Sequence, residues 1–495
     1  MRYKQMPLHP SQVMLFVTSV EDALPPESDV RSFSDVMECL DYSVIERKCS
    51  EVGCPPYPPK EMAKILTYAY SKGIRSSRKI EHRLKVDVEF MWLSGGLKPD
   101  HNTISRFRKE NWRELEALFK DSVRVSAEAG LVFLNVASTD GSKMESAASK
   151  RRIYSKSRVE RELAAVERIL QEAEDVDAAE DALYGSGTGN ELPEDLRDAK
   201  ARKARLKEIA KRLAESKKTT TVETDPDSRV MMTKDGKRPC YNVQMSVDKD
   251  NQVIVAMKVT QNENDHGELP GMVEQIEENT GVSPDVSLVD CGYADEGTLV
   301  WARETAHDVL MPLQEHPRDA DRNDLFASRC FIVDHERDVL ICPAGRELTG
   351  GCQRRYGSGT YRQYGAKGCR SCSFYGECVR GGKGNRRVNV SVVAEERRQM
   401  LDRLRTEEGR KLYSLRRETS EPVFGQIKHN RGFDRLVTWG LHGAVAETAL
   451  ACIAHNVMKC ATKAAKSAYL LLSQSALLLS RSLTRHFHPL GLQAA

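Results

Sequence analysis

Between residues 131 and 312 the apolar runs come in an order that few folds allow. Residues 131–139 form one run, and 239–247 and 252–260 form two more of strand character. The last two are separated by Asp248-Lys-Asp-Asn251, a hairpin turn signal. A helical pattern follows over 269–279, then a strand at 285–289, a helix at 296–305 and a short strand at 309–312. Strands that first form a hairpin and then alternate with helices fit a mixed sheet with helices on its faces, an α/β architecture. The first run ends in Asp140, followed by Gly141. The run at 285–289 ends in Asp290, followed by Cys291-Gly292-Tyr293. Carboxylates at the ends of neighbouring strands can face one another.

A third acidic residue, Glu421, lies in a basic stretch of helical character at 416–428. Two strand-end aspartates and a helix glutamate suit a pair of divalent cations. Mg²⁺ is hard, prefers carboxylate oxygens and keeps waters that substrate phosphates displace. An apolar run followed by Asp-Gly also describes an ordinary strand and turn, so the reading rests on the neighbours. Lys428 stands seven residues after Glu421, two helical turns along the same face, and Glu418 is a weaker acidic candidate one turn earlier.

Length predicts about three domains at ~150 residues each. Net charge is only +3, but it is unevenly placed. Residues 60–124 and 343–390 are both strongly basic, which suits a polyanion met at defined places. No apolar run reaches the ~18–20 residues that span a bilayer, and the N-terminus lacks a secretory pattern. Residues 1–60 read as irregular. From Lys60 to about Gly130 the pattern is helical: Met62, Ile65, Leu66 and Ala69 share one face, and Gly73 breaks the helix. Ser76 and Ser77 are candidate caps for a helix over 78–84. Asp100 or Asn102 caps one carrying Ile104, Phe107, Trp112, Leu115 and Leu118. Short helices and clustered arginines suit a helix-turn-helix type of DNA module, and equally any small helical domain. Residues 150–218 read as a charged helical hairpin, its first arm acidic and its second basic, split by the Gly-rich 185–190.

The thirteen cysteines of a chain that reads as cytosolic are reduced core residues or metal ligands. Cys342, Cys369, Cys372 and Cys378 have the spacing of a structural Zn²⁺ site, with Cys352 as a spare. The segment between them is basic and short of large apolar residues, so it is expected to need a metal to fold. Tyr356, Tyr361, Tyr364 and Phe374 among its arginines suit contact with DNA.

At these residues the chain resembles the DDE transposases of bacterial insertion sequences, in the IS4/IS5-like superfamily and closest to the IS1182 family. The resemblance runs from about Leu40 to Lys459. It is carried by Gly73-Ile-Arg-Ser-Ser-Arg-Lys-Ile80, Trp92-Leu-Ser94 and Pro99-Asp-His-Asn-Thr-Ile-Ser-Arg-Phe-Arg108. Asp140-Gly-Ser-Lys143, Tyr241-Asn-Val-Gln244, Asp290-Cys-Gly-Tyr293 and Arg417-x3-Glu421-x6-Lys428 continue it, with His442 and His455-Asn456 beyond. Three residues separate Tyr413 from Arg417 where the family pattern has two, and Arg416 would restore that spacing.

The resemblance implies an RNase H-like core in which Asp140, Asp290 and Glu421 bind two Mg²⁺ ions, with Mn²⁺ as a substitute. It implies Arg417 and Lys428 on DNA phosphates beside them. It also implies double-stranded DNA partners (terminal inverted repeats and target DNA), a homodimer in the DNA complex, and a cytoplasmic, chromosome-associated bacterial protein with no membrane association. The expected order is an N-terminal all-α DNA-binding domain at 1–130, with Arg75, Arg78, Arg106 and Arg108 as DNA contacts. The first part of the core follows at 131–320, interrupted by the hairpin. A Cys-rich, zinc ribbon-like insertion at 321–395, the last part of the core at 396–460 and a tail at 461–495 complete it. The competing readings are a catalytically inactive DNA-binding relative, a repressor or remnant, and a nuclease on the same fold without strand transfer.

Overall fold

The computed structural model describes residues 19–48, 56–184, 194–216, 218–314, 323–334, 336–356, 359–380 and 384–486, with the backbone alone at 176–184, 194–196, 356 and 465–486. The expected Gly-rich split at 185–190 lies outside the described residues. The chain divides into two units. One holds the described residues up to Ala129, with Asn430–Phe433 and those from His442 onward. The other holds Gly130–His429 and Asp434–Leu441.

The first unit is helical. Contrary to the irregular segment expected before residue 60, Asp29–Glu38 is a helix, α1, because Val30, Phe33, Val36 and Met37 recur at helical spacing and bury one face. Helix α2, Pro59–Ser71, starts with proline in its first turn and buries Met62, Ile65, Leu66 and Ala69. It stops at Gly73, whose φ of +71° suits glycine alone and whose missing side chain leaves room for the Arg431 carbonyl. Helix α3 is Ser77–Val86. Asp100 caps α4, His101–Glu110, accepting from Thr103 N at 2.7 Å. The single helix expected from Ile104 to Leu118 is broken at Asn111, and α5, Trp112–Glu128, begins there. Asn111 donates to the Phe107 carbonyl at 2.8 Å, a side-chain bond that competes with helical pairing.

The second unit is built on a six-stranded sheet: β1 Ala137–Glu145, β2 Arg229–Thr233, β3 Gly236–Asp248, β4 Ile254–Thr260, β5 Ser287–Leu288 and β6 Val309–Leu310. Its order is β2-β3-β1-β5-β6, with β4 also on β3. Strand β3 is antiparallel to β1, β2 and β4, whereas β1, β5 and β6 run parallel. The first strand therefore starts later than its apolar run. Residues 131–136 form a lead-in, with Leu134 at φ 58°, and Asp140 lies within β1, opposite Met245, rather than at its end.

Between β1 and β2 come two helices, Lys156–Tyr184 and Glu194–Glu215. Val159, Val166, Leu206, Ile209 and Leu213 pack between them, and Glu162 and Glu167 pair with Arg202 and Lys203. Strand pairing of Ile153–Ser155 with Thr220–Val222 brings their two outer ends together. After β6 a separate five-stranded antiparallel sheet carries its own apolar cluster, Phe331, Leu340, Leu348, Tyr364, Val379 and Val388. Strands supply Leu340, Leu348, Tyr364 and Val388 to that cluster, and of its six large apolar side chains Leu348 and Tyr364 come from between Cys342 and Cys378. Two helices follow, α6 Ala394–Arg405 and α7 Glu407–Gly425. The long helix Leu441–His486 returns to the first unit.

Candidate functional site

The parallel pairing of β1 with β5 decides where the two aspartates stand. Ser138 is opposite Leu288. Two residues further on come Asp140 and Asp290, and a period of two puts both on the face that Ser138 and Leu288 share. Asp290 leaves the strand and caps a short turn at Cys291–Tyr293, accepting from Gly292 N at 2.7 Å.

Helix α7 lies against this edge, and Ser138 Oγ donates to Ser420 Oγ at 3.1 Å in a buried contact. The helix contains Pro422, which cannot donate to the carbonyl one turn back. That carbonyl, on Glu418, accepts instead from the Gln252 side chain at 2.9 Å. Glu421 follows directly after the tethered Ser420. The turn Gln426–Asn430 is π-helical, and Lys428 Nζ donates to the Lys143 carbonyl at 3.1 Å. Burial pulls the Lys428 ammonium pKa down.

The three carboxylates converge on one guanidinium, that of Arg416. Its Nη2 is 3.0 Å from Asp140 Oδ2 and 3.9 Å from Asp290 Oδ2, and its Nη1 is 3.9 Å from Glu421 Oε1. Burial pushes the Asp140 carboxyl up to about 6; Arg416 opposes this, and Asp290 adds to it. Burial works against the charge of Arg416, but Asp140 and the other anionic neighbours overcome it and its pKa is raised. Arg416 Nε is buried without a hydrogen-bond partner. Arg416, rather than Arg417, faces the aspartates. Arg417 is one helical step round and exposed.

A fourth carboxylate, missed in the sequence, stands beside the pair. Asp265 lies in the loop after β4, with Oδ1 accepting from Asn242 at 2.8 Å and Gln244 at 2.5 Å. Gln244 is fixed in turn by the hydroxyl of buried Tyr293, which donates to its Oε1. Only Tyr241-Asn-Val-Gln244, noted for its resemblance, pointed to this region.

The predicted DNA-contact arginines separate. Arg78 and Arg106 are exposed, and Arg75 is half-buried, over the Phe433 ring at 5.3 Å and donating to the Gly432 carbonyl. Arg108 is 2% exposed, so its expected place on DNA is corrected. It donates to Tyr70 Oη at 2.8 Å, the Arg75 carbonyl at 2.9 Å and Ser77 Oγ at 2.8 Å, knitting α2, α3 and α4 together. His442 stacks on Trp112, and Asn456 donates to Ser122, so these similarity residues serve packing.

Cys342, Cys369, Cys372 and Cys378 line one cavity of about 30 Å³ with Phe326 and Phe374. Cys342 Sγ accepts from Arg346 N, and Cys369 Sγ from Arg386 N. Among the described residues no group of three or more His, Cys, Asp or Glu stands in the geometry of a bound ion. Tyr364, expected against DNA, is buried in the adjoining core.

Two family models match the chain: Transposase domain (DUF772) over residues 18–110 and Transposase DDE domain over residues 341–461. The second match spans Glu421 and the four cysteines, but neither Asp140 nor Asp290. No curated protein and no solved structure matches the chain. Among the described residues no helix is long and apolar enough to cross a membrane.

Proposed function

The chain belongs to the insertion-sequence transposases of the DDE class, with which the IS1182 family is consistent, and on that premise we propose that it binds the terminal inverted repeats of its element and cleaves and joins DNA strands there. The observation that carries this reading is the convergence of Asp140, Asp290 and Glu421, from three distant segments, on Arg416. The second unit's mixed sheet, with an antiparallel hairpin beside three parallel strands, supports the reading of an RNase H-like core.

The donor chemistry supports a divalent cation, although among the described residues the three carboxylates do not stand in the geometry of a bound ion. Three hard oxygen donors already gather round a positive charge, and Asp140 is held at a cost that a stronger cation would offset. Asp140, Asp290 and Glu421 would hold the metal, with Arg416 withdrawing toward phosphate. Bound there, Mg²⁺ or Mn²⁺ supplies an activated oxygen nucleophile and charge stabilisation at the leaving oxygen. The chain's own work is positional. Strand β1 carries Asp140, the turn after β5 carries Asp290, and α7 brings Glu421 to them through the Ser138–Ser420 contact. Arg416, Arg417 and Lys428 present cations on the same helical segment, where scissile and flanking phosphates would lie. Of the arginines expected on DNA, Arg78 and Arg106 are exposed and are offered to the repeat by the first unit.

In the Cys-rich insertion we propose one structural zinc on Cys342, Cys369, Cys372 and Cys378, a reading that rests on their spacing and their place around one cavity, since among the described residues they do not stand in the geometry of a bound ion.

Purified protein with Mg²⁺ and a DNA carrying the element's ends tests the function. Cleavage with joining is the expected result. Binding alone would reduce the chain to a DNA-binding relative, and cleavage without joining to a nuclease.

A further inference from the structure

The two glycines beside the aspartates share one neighbour. A Cβ on Gly141 would lie 2.2 Å from Asp265 Oδ1, and a Cβ on Gly292 would lie 2.9 Å from Asp265 Oδ2. The Asp265 carboxylate therefore fills the space that both glycines leave open, one directly after Asp140 and the other two residues after Asp290. Neither glycine has a positive φ, so close approach of this carboxylate, rather than backbone conformation, accounts for them.

Both amide donors, Asn242 and Gln244, reach Oδ1 of Asp265. Oδ2 is turned to Gly292, and the Cβ position of Gly292 is equally 2.9 Å from Asp290 Oδ1. One point beside Gly292 thus lies 2.9 Å from an oxygen of each of two carboxylates, an arrangement that favours a shared cation.

We propose that Asp265 is a fourth member of the cation-binding carboxylate set, acting with Asp140 and Asp290 and oriented by Asn242 and Gln244. The inference rests on the divalent-cation reading of the site. It gives the Tyr241-Asn-Val-Gln244 segment a function: Tyr293 fixes the Gln244 amide, and that amide with Asn242 fixes which oxygen of Asp265 is free. Gly141 and Gly292 are small so that Asp265 can enter.

The test is Mn²⁺ binding to the full-length protein without DNA, followed by the loss of the free-ion paramagnetic resonance signal. Asp265→Asn keeps the size of the side chain and should weaken Mn²⁺ binding about tenfold or more, within the ~10–100-fold range for residues that orient or support metal ligands. Asp265→Glu should recover part of the loss. Gly141→Ala, which drives a methyl group into the carboxylate, should reproduce the Asp265→Asn effect while Asp265 itself is intact. Circular dichroism establishes that each variant is folded, and Asp140→Asn and Asp290→Asn serve as controls. If the controls lose Mn²⁺ but Asp265→Asn and Gly141→Ala bind it as wild type does, the role of Asp265 is overturned and the cation site stands. If the controls also bind as wild type, the cation reading itself falls.

Discussion

Replacing Arg108 by alanine separates a structural arginine from a DNA-contacting one. The side chain is 2% exposed and makes three hydrogen bonds within the first unit. Removing it strips a donor from the buried Tyr70 hydroxyl. Each buried group left unpaired costs about 1–3 kcal/mol. The vacated volume adds a cavity term of roughly 24 cal/mol per Å³ that does not collapse, or about 1–2 kcal/mol for several tens of Å³. Relief from burying the cation offsets part of this. The net is a loss of about 3–5 kcal/mol, the range seen when one partner of a buried charged interaction is deleted. Arg106→Ala removes an exposed side chain two residues away and should change stability by less than about 0.5 kcal/mol. Native-state hydrogen exchange on full-length protein reads both. Arg108→Ala should speed exchange in Ser77–Val86 and His101–Glu110, whereas Arg106→Ala should leave exchange unchanged but weaken binding to repeat DNA and flatten its salt dependence. An Arg108→Ala protein with wild-type exchange but lost DNA binding would refute the reasoning, because it would put the side chain on DNA after all.

Asp140→Ala, Asp290→Ala and Glu421→Gln should each abolish Mg²⁺-dependent cleavage of end-bearing DNA while a mobility-shift assay still detects end binding; near wild-type cleavage by any of them removes that residue from the site. The raised Asp140 pKa, about 6, favours the folded state below the unfolded carboxyl value, and that contribution is lost as pH rises through about 6. A divalent cation needs the ionised form, so Mg²⁺ should raise the melting temperature more at pH 7.5 than at pH 5.5, and calorimetry showing the reverse order would contradict the assignment. Atomic absorption should find about one Zn²⁺ per chain, lost in Cys369→Ser/Cys372→Ser together with protease resistance at 340–380; a zinc-free preparation with unchanged resistance would end the zinc reading.

Local patterns carried the mixed sheet and marked Asp140, Asp290 and Glu421 as candidates, because strand and helix periods and the Asp140-Gly141 junction are properties of neighbouring residues. They also carried the family, through short motifs whose spacing survives in one dimension. Three matters needed the tertiary structure. Arg416 and Arg417 are identical in composition, and only the rotation of α7 against β1, about 100° per residue, turns the first to the aspartates and the second to solvent. Arg108 reads as one basic residue among several, and its burial depends on Tyr70, Arg75 and Ser77 converging from two other segments. Asp265 sits in a loop with no periodicity to mark it. Its place beside Asp140 and Asp290 arises from the pairing of β1 with β3 and from the side chains that β3 projects there. Nothing closer in the chain than the folded sheet itself connects Gly141, Gly292 and the carboxylate that fills the space between them.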